Sequence, residues 1–222
     1  MGRVVAAALF AGLVVSCGAD NAARHEATKP PNDVLAEAVQ ALRATGSYHV
    51  SGMLDPGFSV DIDVTPRGSA GSVTIRNVRW DEVAVDGQLW FRGAALWRAS
   101  LPSSRAKLYD EHWVHVLDKR AAFGFAGRIG HLNDSIPGIV FGPQHGLTNT
   151  GAKTVDGQRV VELTSDEDIY DVLVHPPRYP VRWLEKENPG PNGQPCGITL
   201  SRFGAAVTLR APTTTLELRP AA

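Results

Sequence analysis

Phe58, Val60, Ile62 and Val64 alternate with Ser59, Asp61 and Asp63, and this period of two constrains the chain more than any other feature. Successive side chains of a strand point to opposite faces, so the alternation describes a sheet with one face buried and one wet. Val73 and Ile75 continue it against Thr74 and Arg76. The phase slips at Asn77, after which Val78 and Trp80 take the apolar slots; a bulge near Asn77 would produce that slip. Val83 and Val85 lead into Asp86-Gly87 and then Leu89 and Phe91, and Asp-Gly between alternating apolar residues is a strong hairpin signal. Trp90 is out of phase with Leu89 and Phe91 and belongs to the opposite face, where a covering helix or a binding partner is its expected neighbour.

The rest of the chain fits the same picture. One helix precedes the strands: Asn32 or Asp33 can cap it, Val34, Leu35, Ala38, Val39, Ala41 and Leu42 recur at helical spacing, and Gly46 ends it. Trp113, Val114, His115 and Val116 read as a short strand. Ile129, Leu132 and Ile136 suggest a second helix within residues 128–141, broken by Pro137-Gly138, while residues 121–130 have no clear period. Asp156-Gly157 marks a turn before a strand at residues 159–163. Further strands are expected at residues 169–174, 181–184, 198–203, 207–209 and 215–218, with a proline- and glycine-rich loop over residues 187–195. Many short strands and few helices give an α+β domain dominated by one large antiparallel sheet.

The N-terminus bounds location. Arg3 precedes an uncharged apolar run at residues 4–15, the pattern of a secretory signal peptide. The run is shorter than the roughly 20 residues of a membrane span. It ends in Val14-Val15-Ser16-Cys17-Gly18, which resembles the bacterial lipobox: apolar and small residues ahead of a cysteine whose thiol carries diacylglycerol and whose new α-amino group can be acylated as well. Two or three acyl chains make a stable anchor. The expected organisation is a signal peptide at residues 1–16, lipidated Cys17 with a flexible tether to residue 31, and one domain over residues 32–222. The expected place is the extracytoplasmic face of the cell membrane, held by acylated Cys17. The chain has two cysteines, so acylation of Cys17 leaves Cys196 alone and stability must come from a core rather than a disulfide framework.

Several function classes are excluded or unsupported. The net charge is −1 with both signs mixed along the chain, which argues against a nucleic-acid partner. There is no Gly-x-Ser-x-Gly elbow and no glycine-rich phosphate loop. His25-Glu26 lacks the second histidine of a zinc helix. His112 and His115 would point to opposite faces of a strand, and Asp61 and Asp63 fall on the wet face. Asp166, Glu167 and Asp168 read as solvated turn charges, without the glycine-spaced oxygen ligands of a calcium loop. Cys196 has no basic neighbour in sequence to lower its pKa. No catalytic residue, metal site or cofactor is expected.

The order of elements carries a resemblance. A lipobox, a tether and an amphipathic helix are followed by the hairpin Val85-Asp86-Gly87-Gln88-Leu89-Trp90 and the Trp113-Val114 strand. A central helical segment, Thr154-Val155-Asp156-Gly157 and Tyr179-Pro180-Val181 come after. This resembles the LppX/LprG-like lipoproteins of actinobacteria and, more distantly, the LolA and LolB lipoprotein carriers. The resemblance implies a curved antiparallel half-barrel covered by a few helices, with an apolar cavity that holds acyl chains of lipids or lipoglycans. It carries no catalytic residue.

The residues expected along such a cavity are Phe58, Val60, Ile62, Val73, Ile75, Leu89, Phe91, Val114 and Val116. A sheet with one apolar face needs a cover, and the single clear helix covers only part of it. Periodicity does not distinguish a cavity from a filled core made of the same residues. The expected function is binding or carrying lipid or lipoglycan at the cell envelope. The alternative is an envelope adaptor or sensor domain with a solid core that binds another protein.

Overall fold

The computed structural model describes residues 28–117, 136–190, 193 and 195–218. The signal peptide at residues 1–16, Cys17 and most of the tether lie outside the described residues. So do residues 118–135, which include Ile129 and Leu132 of the expected middle helix. Of that helix's expected span, Ile136–Val140 forms a single π-helical turn containing Pro137 and Gly138.

Two antiparallel meanders share one sheet. The first runs β1 (Tyr48–Asp55), β2 (Phe58–Thr65), β3 (Gly68–Ile75), β4 (Val78–Val85), β5 (Gln88–Arg92) and β6 (Trp113–His115). The second runs β7 (Thr148–Val155), β8 (Gln158–Thr164), β9 (Asp168–Leu173), β10 (Pro180–Pro189) and β11 (Pro195–Ser201). They meet where β1 pairs with β11, and β12 (Thr215–Glu217) adds in parallel beside β6. Among the described residues the result is an open, curved 12-stranded sheet with β12 and β7 at its edges, the large antiparallel α+β architecture expected from the alternation.

The hairpins explain the register. Asp86-Gly87 and Asp156-Gly157 have both residues at positive φ, the two-residue turn whose twist matches that of the flanking strands. Arg76 and Asn77 do the same, at φ 47° and 69°. The phase slip at Asn77 is therefore a tight turn between β3 and β4, not the expected bulge. Two residues spent in a turn shift the alternation as a bulge would, and arginine is not a customary turn former.

Other expectations need correction. The expected loop over residues 187–195 is strand at both ends: residues 187–189 belong to β10 and Pro195 to β11, with Pro189 opposite Pro195. β7 was not anticipated, because its polar, glycine-containing sequence has no apolar alternation; its ladder with β8 is irregular between Asn149 and Gly151. Residues 207–209 form no strand. Leu209 instead packs on the outer face against a small cluster of Val83, Val85 and Trp90. Trp90 does lie opposite Leu89 and Phe91, but Leu209, Trp113 and a stacked His115 ring (centroids 4.8 Å apart) cover it, with no helix in that cluster.

Helix α1 (Pro31–Ala44) begins ahead of both expected caps, Asn32 and Asp33. Pro30 is its N-cap, Pro31 occupies the first turn, and no side chain caps it. Asn32 points elsewhere: it donates to the Gln144 carbonyl at 3.2 Å and accepts from the Gln144 amide at 3.3 Å. The helix buries Val34, Leu35, Ala38, Val39 and Leu42 against the sheet, meeting β9 and β10. Each buried valine or leucine contributes about 1.5–3 kcal/mol. Two short helices, α2 (Ala94–Ser100) and α3 (Ser103–Ala106), follow β5, and α2 lies on β4.

Candidate binding site

The covered face of the sheet is built by register. Ile62 stands beside Gly71, Gly71 beside Glu82, Glu82 beside Phe91 and Phe91 beside Val114. Val60, Val73 and Trp80 form the neighbouring row. Of the nine residues expected along a cavity, Val60, Ile62, Val73, Leu89, Phe91, Val114 and Val116 are buried in one hydrophobic cluster. Phe58 and Ile75, a cross-strand pair, are only half-buried.

Phe58 and Ile75 open onto a cleft of about 580 Å³. Its walls are the turn between β1 and β2, the ends of β3 and β4, and the underside of α2. Pro56, Phe58, Ile75, Val78, Trp80 and Leu96 make it mostly apolar, and Asp55, Arg76 and Ser100 add polar groups. Gly93 lets α2 begin hard against β4, since a Cβ there would sit 2.9 Å from the Cβ of Trp80. A second cleft, about 410 Å³, lies between α1 and residues 137–143, with Leu35, Val39 and Phe141 in its wall. Phe141 meets Tyr170 edge-on at 6.0 Å and so ties the π-helical segment to β9.

The polar residues weighed in the sequence settle into structural roles. Asp61 and Asp63 do face outward, but Asp63 is held between the His49 ring at 2.9 Å and the Arg202 guanidinium at 2.6 Å. Asp61 lies 3.4 Å from the other His49 nitrogen. Asp166 and Glu167 are exposed, as expected of turn charges. Asp168 is not one: it accepts from the Trp183 indole at 2.8 Å and the Tyr170 hydroxyl at 3.0 Å. Burial, with the Asp168 carboxylate beside it, pushes the Tyr170 hydroxyl up. His112 lies in a turn rather than on a strand, and His115 stacks on Trp90. Burial likewise raises the Cys196 thiol, helped by Glu185 and Asp55, which makes it a poor nucleophile. Among the described residues no three histidine, cysteine or acidic side chains gather as a metal site, and no helix is long and apolar enough to cross a membrane.

One residue escaped the sequence reading. Glu82 is fully buried on the core face, and neither carboxyl oxygen has a hydrogen-bond partner among the described residues. Burial pushes its pKa up to about 8, and the neighbouring Ser69 hydroxyl offsets only part of that. The signal was present. Strict alternation from Val78 and Trp80 puts Glu82 in the next core slot, whereas Val83 and Val85 drew attention to the other phase.

No protein-family model matches the chain, and no curated protein matches it. Solved structures do. LprF from Mycobacterium bovis superposes with a TM-score of 0.56 at 18% identity, over 82% of this chain and 96% of that one. The chain has the fold of LprF. The Mycobacterium tuberculosis lipoprotein LppX aligns over 82% of this chain and all of its own at 17% identity, with a TM-score of 0.49. The resemblance read from the order of elements thus holds at the level of the fold.

Proposed function

We propose that the chain is a membrane-anchored lipoprotein, acylated at Cys17, that binds or carries a lipid at the cell envelope. The observation that carries this reading is the apolar cleft beneath α2, which continues the covered face of an LprF-like sheet. Such a groove excludes water from a hydrocarbon chain laid along it, and each methylene buried there contributes about 0.8 kcal/mol. Phe58, Ile75, Trp80 and Leu96 would meet the acyl chain in the cleft, beside the packed core that holds the other expected residues from Val60 to Val116. The apolar run at residues 4–15 followed by Ser16-Cys17 supports export and anchoring.

The test is mass spectrometry of organic extracts of the chain expressed in a related bacterium and purified without detergent. A stoichiometric lipid is the expected result and names the ligand class directly. A protein that carries no lipid and takes up none from added vesicles would leave the solid-core adaptor as the better account. Anchoring is checked separately: Cys17→Ala abolishes incorporation of labelled palmitate if the cysteine is acylated.

A further inference from the structure

The cleft beneath α2 differs in chemistry between its floor and its rim. The floor is apolar, where Trp80 and Leu96 are almost wholly buried. Three elements supply a polar rim: Asp55 at the end of β1, Arg76 in the turn between β3 and β4, and Ser100 at the end of α2, all three exposed. The backbone fixes this rim. The Arg76 amide donates to the Gly57 carbonyl at 2.8 Å and so staples the β3–β4 turn to the β1–β2 turn. Register places the two charges on either side of one opening: Asp55 stands opposite Phe58, Phe58 opposite Ile75, and Arg76 follows Ile75. Two strand spacings, about 10 Å, separate the backbones of Asp55 and Ile75. The carboxylate and the guanidinium do not close on each other as an ion pair, and among the described residues no other charge pairs with either. A volume of about 580 Å³ suits a small molecule, since pockets for such ligands run to about 300–1,000 Å³.

We propose that this rim reads the head group of the bound lipid and that the head group is zwitterionic: a phosphate that accepts from the Arg76 guanidinium, beside an ammonium that donates to the Asp55 carboxylate, as a phosphatidylethanolamine provides. The inference rests on the lipid-binding reading and names the class of lipid. A phosphate without an ammonium gains Arg76 but faces Asp55. A diacylglycerol has no charge and leaves both residues to water. A zwitterion meets each charge with its opposite, and its net charge of zero equals that of the rim. The Ser100 hydroxyl donates and accepts, so it serves either half of the head group. Exposed pairs of this kind are individually weak, so the buried chain supplies the affinity and the rim the choice between lipids.

The experiment uses the full acylated chain in phosphatidylcholine vesicles with trace photoactivatable lipids. Three probes with identical diazirine-bearing chains are compared: a phosphatidylethanolamine, a phosphatidylglycerol and a diacylglycerol. Labelling of the cleft peptides that hold Phe58, Ile75 and Leu96 is read by mass spectrometry. The wild-type chain is expected to favour the phosphatidylethanolamine over each of the others by up to about fivefold, the scale of one exposed ion pair. Asp55→Asn should remove the preference over phosphatidylglycerol, and Arg76→Gln should lower both phospholipids against the diacylglycerol. Equal labelling of the wild type by all three, a preference for phosphatidylglycerol, or ratios unchanged in both variants would overturn the head-group site and leave lipid binding intact. Labelling of the cleft by none of the probes would overturn both readings together.

Discussion

Glu82 makes the stability of this protein depend on pH in a direction opposite to that of a salt-bridged carboxylate. Its pKa is about 8 in the fold against an ordinary 4.5. Below about pH 4.5 both states hold the proton and the residue has no pH-dependent cost. As pH rises from 4.5 to 8 the unfolded chain ionises while the fold resists, so stability falls, and above 8 the loss levels off. Between pH 5 and 8 the loss is on the order of 3 kcal/mol. Urea unfolding at pH 5, 7 and 9 should show this slope, and Glu82→Gln should flatten it; parallel curves for the two proteins would refute the burial of this carboxyl. A second test concerns Asp168. Replacing it with alanine removes two hydrogen bonds, from Trp183 and Tyr170, and strands both donors. A loss of about 2–3 kcal/mol is expected, against less than about 0.5 kcal/mol for Asp166→Ala on the exposed turn. Similar small losses for both would return Asp168 to the solvated role its sequence suggested.

At the scale of elements, the sheet depends on close approach at its seam. Gly52 of β1 lies opposite Ile198 of β11, with φ +137°, and a Cβ there would meet the Gly197 carbonyl oxygen at 2.3 Å. Gly52→Val should therefore part the two meanders and cost more than about 2 kcal/mol by chemical denaturation, whereas Ala36→Val at an exposed position of α1 should be tolerated. The strands with strict alternation, such as β2, were legible because every second residue is apolar and the other face is wet. β7 was not, because among the described residues it pairs with β8 alone and little of it is buried. The Arg76-Asn77 turn was misread because the geometry is imposed by strand pairing on both sides rather than by residue preference. β4 was half-legible: both of its faces are covered near its end, so Val83 and Val85 competed with Trp80 and Ala84 for the label of core and hid Glu82. Seven of the expected cavity residues are on the covered face, yet whether ligand or side chains fill that face is a matter of three-dimensional shape that a period of two does not encode.

At the scale of the molecule, one hydrophobic cluster spans both meanders, joining Val60 and Phe91 of the first to Leu163 and Tyr170 of the second. The halves should accordingly unfold together. Tryptophan fluorescence and far-ultraviolet circular dichroism should give superimposable denaturation curves, and two separated transitions would mean the meanders are independent units. Linking the meanders through β1 and β11 also leaves the two outermost strands, β12 and β7, far apart in the strand order. β12 has three residues and offers little backbone to a stranger, but β7 has eight. Its interrupted ladder at Asn149–Gly151 spoils it as a template for a second copy. Proteins crowded on a surface meet each other edge to edge far more often than free ones do. The irregularity of that one border strand thus works as protection against self-assembly, and straightening it with Gly151→Val should produce large aggregates, seen by size-exclusion chromatography with light scattering, that the unchanged protein lacks.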